Sequence, residues 1–184
     1  KPGMFYLDII NKIKNTFKRS YCLKNFQFQN LERKTLMRAV IQRVKKANVS
    51  VSEKTVGKCG VGALILVCAM KNDSLIESEK LASKITKMRI YQDDEQKMNR
   101  SLLDVGGSAL VISQFTLAAD LKRGNRPGFS EAASPENAKL LYNHFVSCLE
   151  QAGISTETGK FGSEMLVDLT NDGPVTICLD TDHF

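Results

Sequence analysis

The sequence predicts a single α+β domain in which an antiparallel or mixed β-sheet, barrel-like in form, carries two main helices. Short strand patterns follow one another in meander-like runs, and only two segments have strong helical periodicity. The regular alternation of strand and helix in a doubly wound nucleotide-binding fold is missing, as are a G-x-G-x-x-G motif and a P-loop. Residues 37–184 have the length of one domain that forms a core without metal or disulfide.

The first elements of this domain are predicted to be strands. Arg38 to Val44 and Asn48 to Val51 alternate apolar and polar residues, as half-buried strands do. Lys54 to Cys59 can pair back on them, and Ala63 to Ala69 is apolar throughout, which is typical of a fully buried strand.

Two helices have clear sequence signals at their ends. Ser74 and Glu77 form an S-x-x-E capping box at the start of the first helix, which extends to about Arg89. Ser134 is the expected N-cap of the second helix, which ends at Gly153. The residues predicted to face inward are Leu75, Leu81, Ile85 and Met88 in the first helix, and Ala138, Leu141, Phe145, Cys148 and Leu149 in the second.

Three further strands are expected in the second half of the chain. A strongly apolar strand from Ala109 to Leu117 follows a Gly-Gly pair. Glu164 to Thr170 and Val175 to Leu179 are two more, joined by a predicted turn, Asn171-Asp172-Gly173-Pro174. Because proline has no N–H to give to a ladder, Gly173-Pro174 must lie at an edge or protrude. A Gly-Pro bond can also be cis at a cost of only about 1 kcal/mol.

The excess positive charge of the chain lies entirely at its beginning. The sequence has 26 Lys+Arg against 20 Asp+Glu, a formal charge of +6. Residues 1–36 carry all of this excess, and residues 37–184 balance to zero. A broad basic nucleic-acid-binding face on the domain is therefore excluded, and any such surface must be local.

Residues 1–36 are a basic N-terminal extension with two interpretations. Ile10, Ile13, Phe17 and Tyr21 have helical spacing, as in an organelle-targeting presequence; the alternative is a disordered or weakly docked extension. We expect a cytoplasmic protein, or an organellar one if the extension is a presequence. No membrane association is expected, because the longest apolar run, Ala63 to Met70, is too short to span a bilayer.

Cysteine and histidine exclude several kinds of site. The five cysteines are widely spaced and lack any C-x-x-C pair, which indicates buried thiols in a reducing compartment rather than disulfides or zinc. Of the two histidines, His144 is expected on a helix surface and His183 on the C-terminal tail. Neither is placed to serve a Ser-His or Cys-His pair. We therefore expect no metal and no cofactor.

Two polar segments are candidate site motifs. Ser113-Gln114-Phe115-Thr116-Leu117 closes the apolar strand and can present hydroxyls, an amide and backbone N–H groups at a sheet rim, although strand-end Ser and Thr often only satisfy local backbone. Asn171-Asp172-Gly173-Pro174-Val175-Thr176 is the second motif, and a simple turn would also explain it.

Together these motifs resemble the paired signatures of the D-aminoacyl-tRNA deacylases. The similarity extends over residues 37–184 and does not include residues 1–36. Further matching segments are Met37 to Val44, Lys97-Met98-Asn99, Arg126-Pro127 and Thr158-Gly159-Lys160-Phe161.

The resemblance implies an enzyme that hydrolyses the ester between a D-amino acid, or glycine, and the 3′-terminal adenosine of tRNA, as chiral proofreading in translation. It implies a homodimer in which a Gly-cis-Pro motif, here Gly173-Pro174, enters the partner's pocket and excludes L side chains. It also implies that Arg43 helps to hold that motif, and that Phe161 and Met165 lie near the adenosine and the pocket.

A vicinal 2′-OH already makes an aminoacyl ester labile, so positioning and oxyanion stabilisation are sufficient for catalysis. We hypothesise that Ser113, Gln114, Phe115 and Thr116 form the catalytic segment: N–H groups near Phe115 and Thr116 hold the carbonyl, Gln114 orients the substrate, and the substrate's 2′-OH activates water.

Three alternatives remain from the sequence. Thr116 could be a covalent nucleophile, although no base can be named for it. The protein could be a non-catalytic tRNA- or RNA-binding module that uses Lys122, Arg123 and Arg126, or a Cys- or His-dependent hydrolase of another ester.

Overall fold

A computed structural model describes residues 37–184, and the predicted extension 1–36 lies outside the described residues. The strands are β1 (Arg38–Val51), β2 (Lys54–Cys59), β3 (Gly62–Cys68), β4 (Tyr91–Gln92), β5 (Met98–Arg100), β6 (Ser108–Ser113), β7 (Ser155–Thr158) and β8 (Leu166–Asp180). The α-helices in this part of the chain are α1 (Leu75–Lys87) and α2 (Pro135–Gln151). Neither is long and apolar enough to cross a membrane.

β1 is the centre of the sheet. It pairs antiparallel with β3 through its first half, with β2 through its second half, and with β8 along its other edge. β6 pairs parallel with both β3 and β7. The sheet curls until β2 approaches β7, where the Lys58 N–H donates to the Glu157 carboxylate over 2.9 Å. The predicted α+β class, with a barrel-like mixed sheet and two main helices, is confirmed for the described residues.

β1 is one continuous strand, whereas the sequence pattern predicted two. Lys45 and Lys46 are both exposed and interrupt the apolar alternation. They nevertheless stay in the strand, because β8 pairs with β1 from Arg38 to Ser50.

β8 is also a single strand, and the prediction of two strands joined by a turn was wrong. Its two halves pair with β1 in the same direction, as Gln42↔Thr176 on one side of Arg43 and Val44↔Asn171 on the other. The residues between Asn171 and Thr176 therefore have only Arg43 opposite them. They form a bulge in a continuous strand, not a chain reversal.

The helix signals were largely correct. Ser74 and Glu77 form the predicted capping box, and the Ser134 hydroxyl accepts the Asn137 N–H at 3.4 Å. The helices share one core with the sheet, in which Leu81, Ile85, Leu141, Phe145 and Leu149 are buried and Met88, Ala138 and Cys148 are partly buried. Leu75 was wrongly predicted to face inward: it is 43% exposed in the first turn of α1.

Three features of the fold were missed or misplaced. The β4–β5 hairpin and β7 are short and polar and gave no strand signal. The apolar strand predicted from Ala109 to Leu117 ends at Ser113. After Gln114, the four residues Phe115–Ala118 form a 3₁₀ turn because β3, the partner of β6, has ended at Cys68.

Asp73, just before α1, has a buried carboxyl group that lowers the stability of the folded protein at high pH. It is 7% exposed, its Oδ2 accepts the Met70 N–H at 2.5 Å, and its Oδ1 has no partner among residues 37–184. Burial raises the pKa of Asp73 from its ordinary value of 3.8 to about 6. The folded protein therefore holds an extra proton between these pH values, and its stability falls as the pH rises through 6.

Replacement of the Asp73 carboxyl by an amide is expected to remove the loss of stability at high pH. In Asp73→Asn the Met70 N–H keeps an acceptor and no charge forms, so the free energy of unfolding at pH 8 should rise relative to wild type by up to about 3 kcal/mol. Urea unfolding of both proteins from pH 4 to pH 8 measures this difference. A difference that stays constant with pH would show that Asp73 is not the group responsible.

Candidate active site

The first motif forms a turn at the end of β6. The Gln114 N–H donates to the Val67 C=O at 2.8 Å, and the Leu117 N–H donates to the Gln114 C=O at 3.2 Å. The N–H groups of Phe115 and Thr116 come at the start of the 3₁₀ helix, where a helix supplies no internal acceptor. Both residues are exposed, Phe115 at 57%. The turn thus carries two neighbouring backbone donors that can receive an oxyanion.

Arg38 anchors this turn from the first strand. Its Nη1 donates to the Leu117 C=O at 2.9 Å, and its Nε pairs with Asp180 Oδ2 at 3.1 Å. The Cys68 thiol lies under the same turn, 3.6 Å from the Phe115 C=O. Burial raises the pKa of Cys68 to about 11, so this thiol stays protonated and is not a nucleophile at neutral pH.

The turn forms one wall of a cavity of about 700 Å³. Ser113, Gln114 and Phe115 line one side, and Phe161 and Met165 line the other. The rings of Phe115 and Phe129 meet edge to face with centroids 5.0 Å apart. The lining is mainly apolar, with polar side chains from Ser113, Gln114, Ser163 and Glu164, and this is the usual form of a small-molecule site. The structure therefore brings together five of the nine predicted site residues.

Thr116 is exposed and does not line this cavity. The Gln114 Nε2 donates to its Oγ1 in a close contact. An amide NH₂ group cannot take a proton, so this contact cannot activate Thr116 as a nucleophile. His144 is occupied at the helix surface, where its Nε2 lies 3.1 Å from Glu79 Oε1. Among residues 37–184 no cluster of His, Cys, Asp or Glu could hold a metal ion.

The second motif protrudes as the bulge of β8. The Gly173-Pro174 peptide bond is cis, and both residues are exposed. Asn171 closes the bulge: its Oδ1 accepts the Val175 N–H at 2.7 Å, and its Nδ2 donates to the Val175 C=O at 3.1 Å. The bulge is therefore a closed loop with a defined shape.

Arg43 supports the bulge from below. Its side chain is 8% exposed, and its Nε donates to the Asp172 C=O at 2.9 Å. Its Nη1 donates to the Ile90 C=O at 2.5 Å. The Asp172 carboxylate lies between Arg43 Nε at 3.4 Å and Lys45 Nζ at 3.2 Å. None of Arg43, Gly173 and Pro174 lines the cavity of its own chain.

Arg43 was predicted to hold the second motif, but three other residues around the two motifs were not predicted. Arg38 acts on a turn 79 positions away, and the sequence gives no sign of that contact. Asn171 was assigned to a turn, although its side chain bridges a strand bulge. Phe129 follows a Gly-rich loop, where a lone aromatic residue gives no signal of a pocket wall.

Comparison with known sequences gives one consistent result. The sequence model of the D-Tyr-tRNA(Tyr) deacylase family matches residues 40–180. A D-aminoacyl-tRNA deacylase of Jannaschia sp. is 59% identical over 145 residues, which cover 79% of this chain and 99% of that protein. A D-aminoacyl-tRNA deacylase of Thermotoga petrophila is 51% identical over 145 residues, covering 79% of this chain and 97% of that protein.

Solved structures agree with the fold. A protein described as a c-Myc DNA unwinding element binding protein is 36% identical, with a TM-score of 0.73, and the match covers 77% of this chain and 97% of that one. A probable eukaryotic D-amino acid tRNA deacylase matches with a TM-score of 0.69 over 78% of this chain and 98% of that one. At 16% identity, this second structural match supports the fold alone. With the family model matched over most of its length, the chain belongs to the D-Tyr-tRNA(Tyr) deacylase family.

Proposed function

We propose that this protein hydrolyses the ester between a D-amino acid, or glycine, and the 3′-terminal adenosine of tRNA. The observation that carries this proposal is the exposed turn at Phe115 and Thr116, which begins at the edge of a cavity whose lining, within residues 37–184, includes no histidine or cysteine. Such a site suits an ester that is already labile and needs only positioning and charge stabilisation. Family membership supports the same reaction.

The reaction then needs no covalent enzyme intermediate. Water adds to the ester carbonyl carbon, and the N–H groups of Phe115 and Thr116 hold the negative charge that develops on the carbonyl oxygen. The substrate's 2′-OH takes the proton of the attacking water and passes its own proton to the departing 3′ oxygen. The bond from the carbonyl carbon to that oxygen breaks, which releases the amino acid and tRNA. Ser113 and Gln114 orient the ester, and Phe161 and Met165 contact the adenosine side of the pocket.

Chirality is selected by a second subunit in this proposal. Gly173 and Pro174 are exposed and lie apart from the cavity of their own chain. The neighbouring segment Leu166 to Thr170 is exposed on both faces of β8, with Leu166 at 70% exposure. An exposed apolar strand of this kind favours pairing with a second copy. The homodimer places Gly173-Pro174 in the partner's pocket, where main-chain atoms occupy the space of an L side chain.

We also propose a cellular compartment for the protein. The four cysteines of residues 37–184 are free thiols, which suits a reducing compartment such as the cytoplasm. We place the domain, residues 37–184, there. Residues 1–36 fused to a reporter would overturn this location if they carried the reporter into an organelle.

A paired assay tests the function directly. The same tRNA is charged with D-tyrosine or with L-tyrosine, and release of the amino acid is followed for each. We expect hydrolysis of the D-tyrosyl ester and of glycyl-tRNA, with the L-tyrosyl ester left intact. Retention of D-tyrosyl-tRNA on a gel without release of tyrosine would instead identify a non-catalytic RNA-binding module.

A further inference from the structure

A short loop beside the cavity has a charge unlike the rest of the domain. Residues 121–128, the basic loop, are all exposed and contain Lys122, Arg123 and Arg126 without an acidic residue. The remainder of residues 37–184 therefore has a net negative charge, because the domain as a whole is neutral. The basic loop is a local positive feature and not part of a general basic surface.

The basic loop is fixed at its base and joined to the cavity at both ends. The Asp120 N–H donates to the Gly128 C=O at 2.8 Å, and the Gly128 N–H donates back to the Asp120 C=O at 2.9 Å. The loop begins two residues after the 3₁₀ turn and leads into Phe129, which lines the cavity. The four residue-to-residue steps from Asp120 to Gly124 span at most about 14 Å when extended, so the tip stays near the cavity mouth.

The three cations of the basic loop have no acidic partner in the domain. None of the ion pairs formed within residues 37–184 includes Lys122, Arg123 or Arg126. The nearest carboxylate in sequence, Asp120, accepts the Lys122 backbone N–H with its Oδ1 at 2.9 Å. Exposed guanidinium and ammonium groups without partners are suited to phosphate oxygens.

We propose that the basic loop binds the phosphodiester backbone of the single-stranded 3′ end of tRNA as that end enters the cavity. This proposal rests on the proposed function, which places the terminal adenosine ester in the cavity. The three cations contact phosphates and not base edges, so the loop contributes affinity without sequence preference. It takes no part in the chemical step.

A second cluster of lysines on α1 provides a matched control. Lys80, Lys84 and Lys87 border a different, open cavity of about 750 Å³ together with Phe184. This cluster has the same number of cations as the basic loop, but Glu79 stands among them and the Lys84 ammonium lies 4.8 Å from the centre of the Phe184 ring. Its neutralisation changes the net charge equally and leaves the basic loop intact.

The test compares two triple variants on two substrates. The first variant combines Lys122→Gln, Arg123→Gln and Arg126→Gln, and the control combines Lys80→Gln, Lys84→Gln and Lys87→Gln. The substrates are D-tyrosyl-tRNA and 3′-O-D-tyrosyl-adenosine, which has no phosphate.

For the loop variant we expect KM for D-tyrosyl-tRNA to rise about tenfold at 0.15 M salt, with kcat unchanged. The slope of log KM against log salt should fall by about 2, because three single-strand phosphate contacts are lost. Hydrolysis of the adenosine ester should be unchanged, and the control variant should behave as wild type on both substrates.

Two results would overturn the proposal. One is an equal increase of KM for D-tyrosyl-tRNA in both variants, and the other is a loop variant that hydrolyses both substrates more slowly by the same factor. If the wild-type protein hydrolysed neither of the two substrates, the proposed function would be refuted. The loop would then be judged by binding of uncharged tRNA, where the loop variant alone must lose affinity and salt dependence if the proposal holds.

Discussion

Replacement of Gly173 by alanine is expected to make the enzyme hydrolyse L-aminoacyl-tRNA. Gly173 has φ +139°, a conformation that is essentially restricted to glycine. A Cβ atom there would lie 2.9 Å from the Val175 N and 3.1 Å from Arg43 Nη2. The bulge must therefore move in Gly173→Ala, and in the proposed dimer this movement opens the space that we propose it denies to an L side chain.

We expect the rate on L-tyrosyl-tRNA to rise about 100-fold in Gly173→Ala, while the rate on the D-tyrosyl ester changes little. Asn171→Ala should have the same direction of effect, because the bulge loses the hydrogen bonds to Val175 that close it. The ratio of kcat/KM for the D and L esters of one tRNA measures both variants.

Asn143 is an exposed amide on α2, so Asn143→Ala is the matched control and should keep the wild-type ratio.

Leu166→Lys tests whether the bulge acts from a second subunit. A monomer produced by this substitution should lose discrimination as Gly173→Ala does. Strict rejection of L-tyrosyl-tRNA by Gly173→Ala, or by a monomer, would refute selection by the bulge of a partner.

The parts of the fold that were predicted correctly depend on local interactions. The capping box at Ser74 and the N-cap at Ser134 use atoms within three residues of each other. The barrel-like sheet could likewise be expected from runs of strand patterns with only two helices between them. Local spacing records such features because the partners are neighbours in sequence.

The errors at the boundaries of the long strands depend on pairing at long range. Lys45 and Lys46 interrupt the pattern of β1, yet the strand continues because β8 pairs along it. Phe115 continues the apolar pattern of β6, but the strand has already ended at Ser113, the last residue that pairs with β3. The candidate site shows the same division: both motifs were visible in sequence, while the contacts of Arg38 and Asn171 that position them were not.

A tRNA that ends in 2′-deoxyadenosine is expected to be a very poor substrate, even though it binds. The candidate site offers backbone N–H groups for the carbonyl oxygen, and the side chain that contacts Thr116 Oγ1 is the amide of Gln114, which cannot accept a proton. Glu164 also lines the cavity, but the proposed mechanism assigns proton transfer to the 2′-OH of the substrate. Loss of a positioned proton-transfer group costs about 100-fold to 10,000-fold in rate, so kcat for D-tyrosyl-tRNA should fall by this amount while KM stays similar.

Substitution of Thr116 distinguishes a covalent mechanism from a substrate-assisted one, because the two predict opposite effects of removing its hydroxyl. Thr116→Val removes the hydroxyl and keeps the side-chain shape, and we expect kcat to fall less than about tenfold, the loss of one hydrogen bond to Gln114. Thr116→Ser keeps a hydroxyl and serves as the control. If Thr116→Val were inactive, Thr116→Ser active and the 2′-deoxy substrate hydrolysed at the full rate, Thr116 would be the nucleophile. A small effect of Thr116→Val with a large effect of the 2′-deoxy sugar is the result that substrate-assisted hydrolysis predicts and that a Thr116 nucleophile does not.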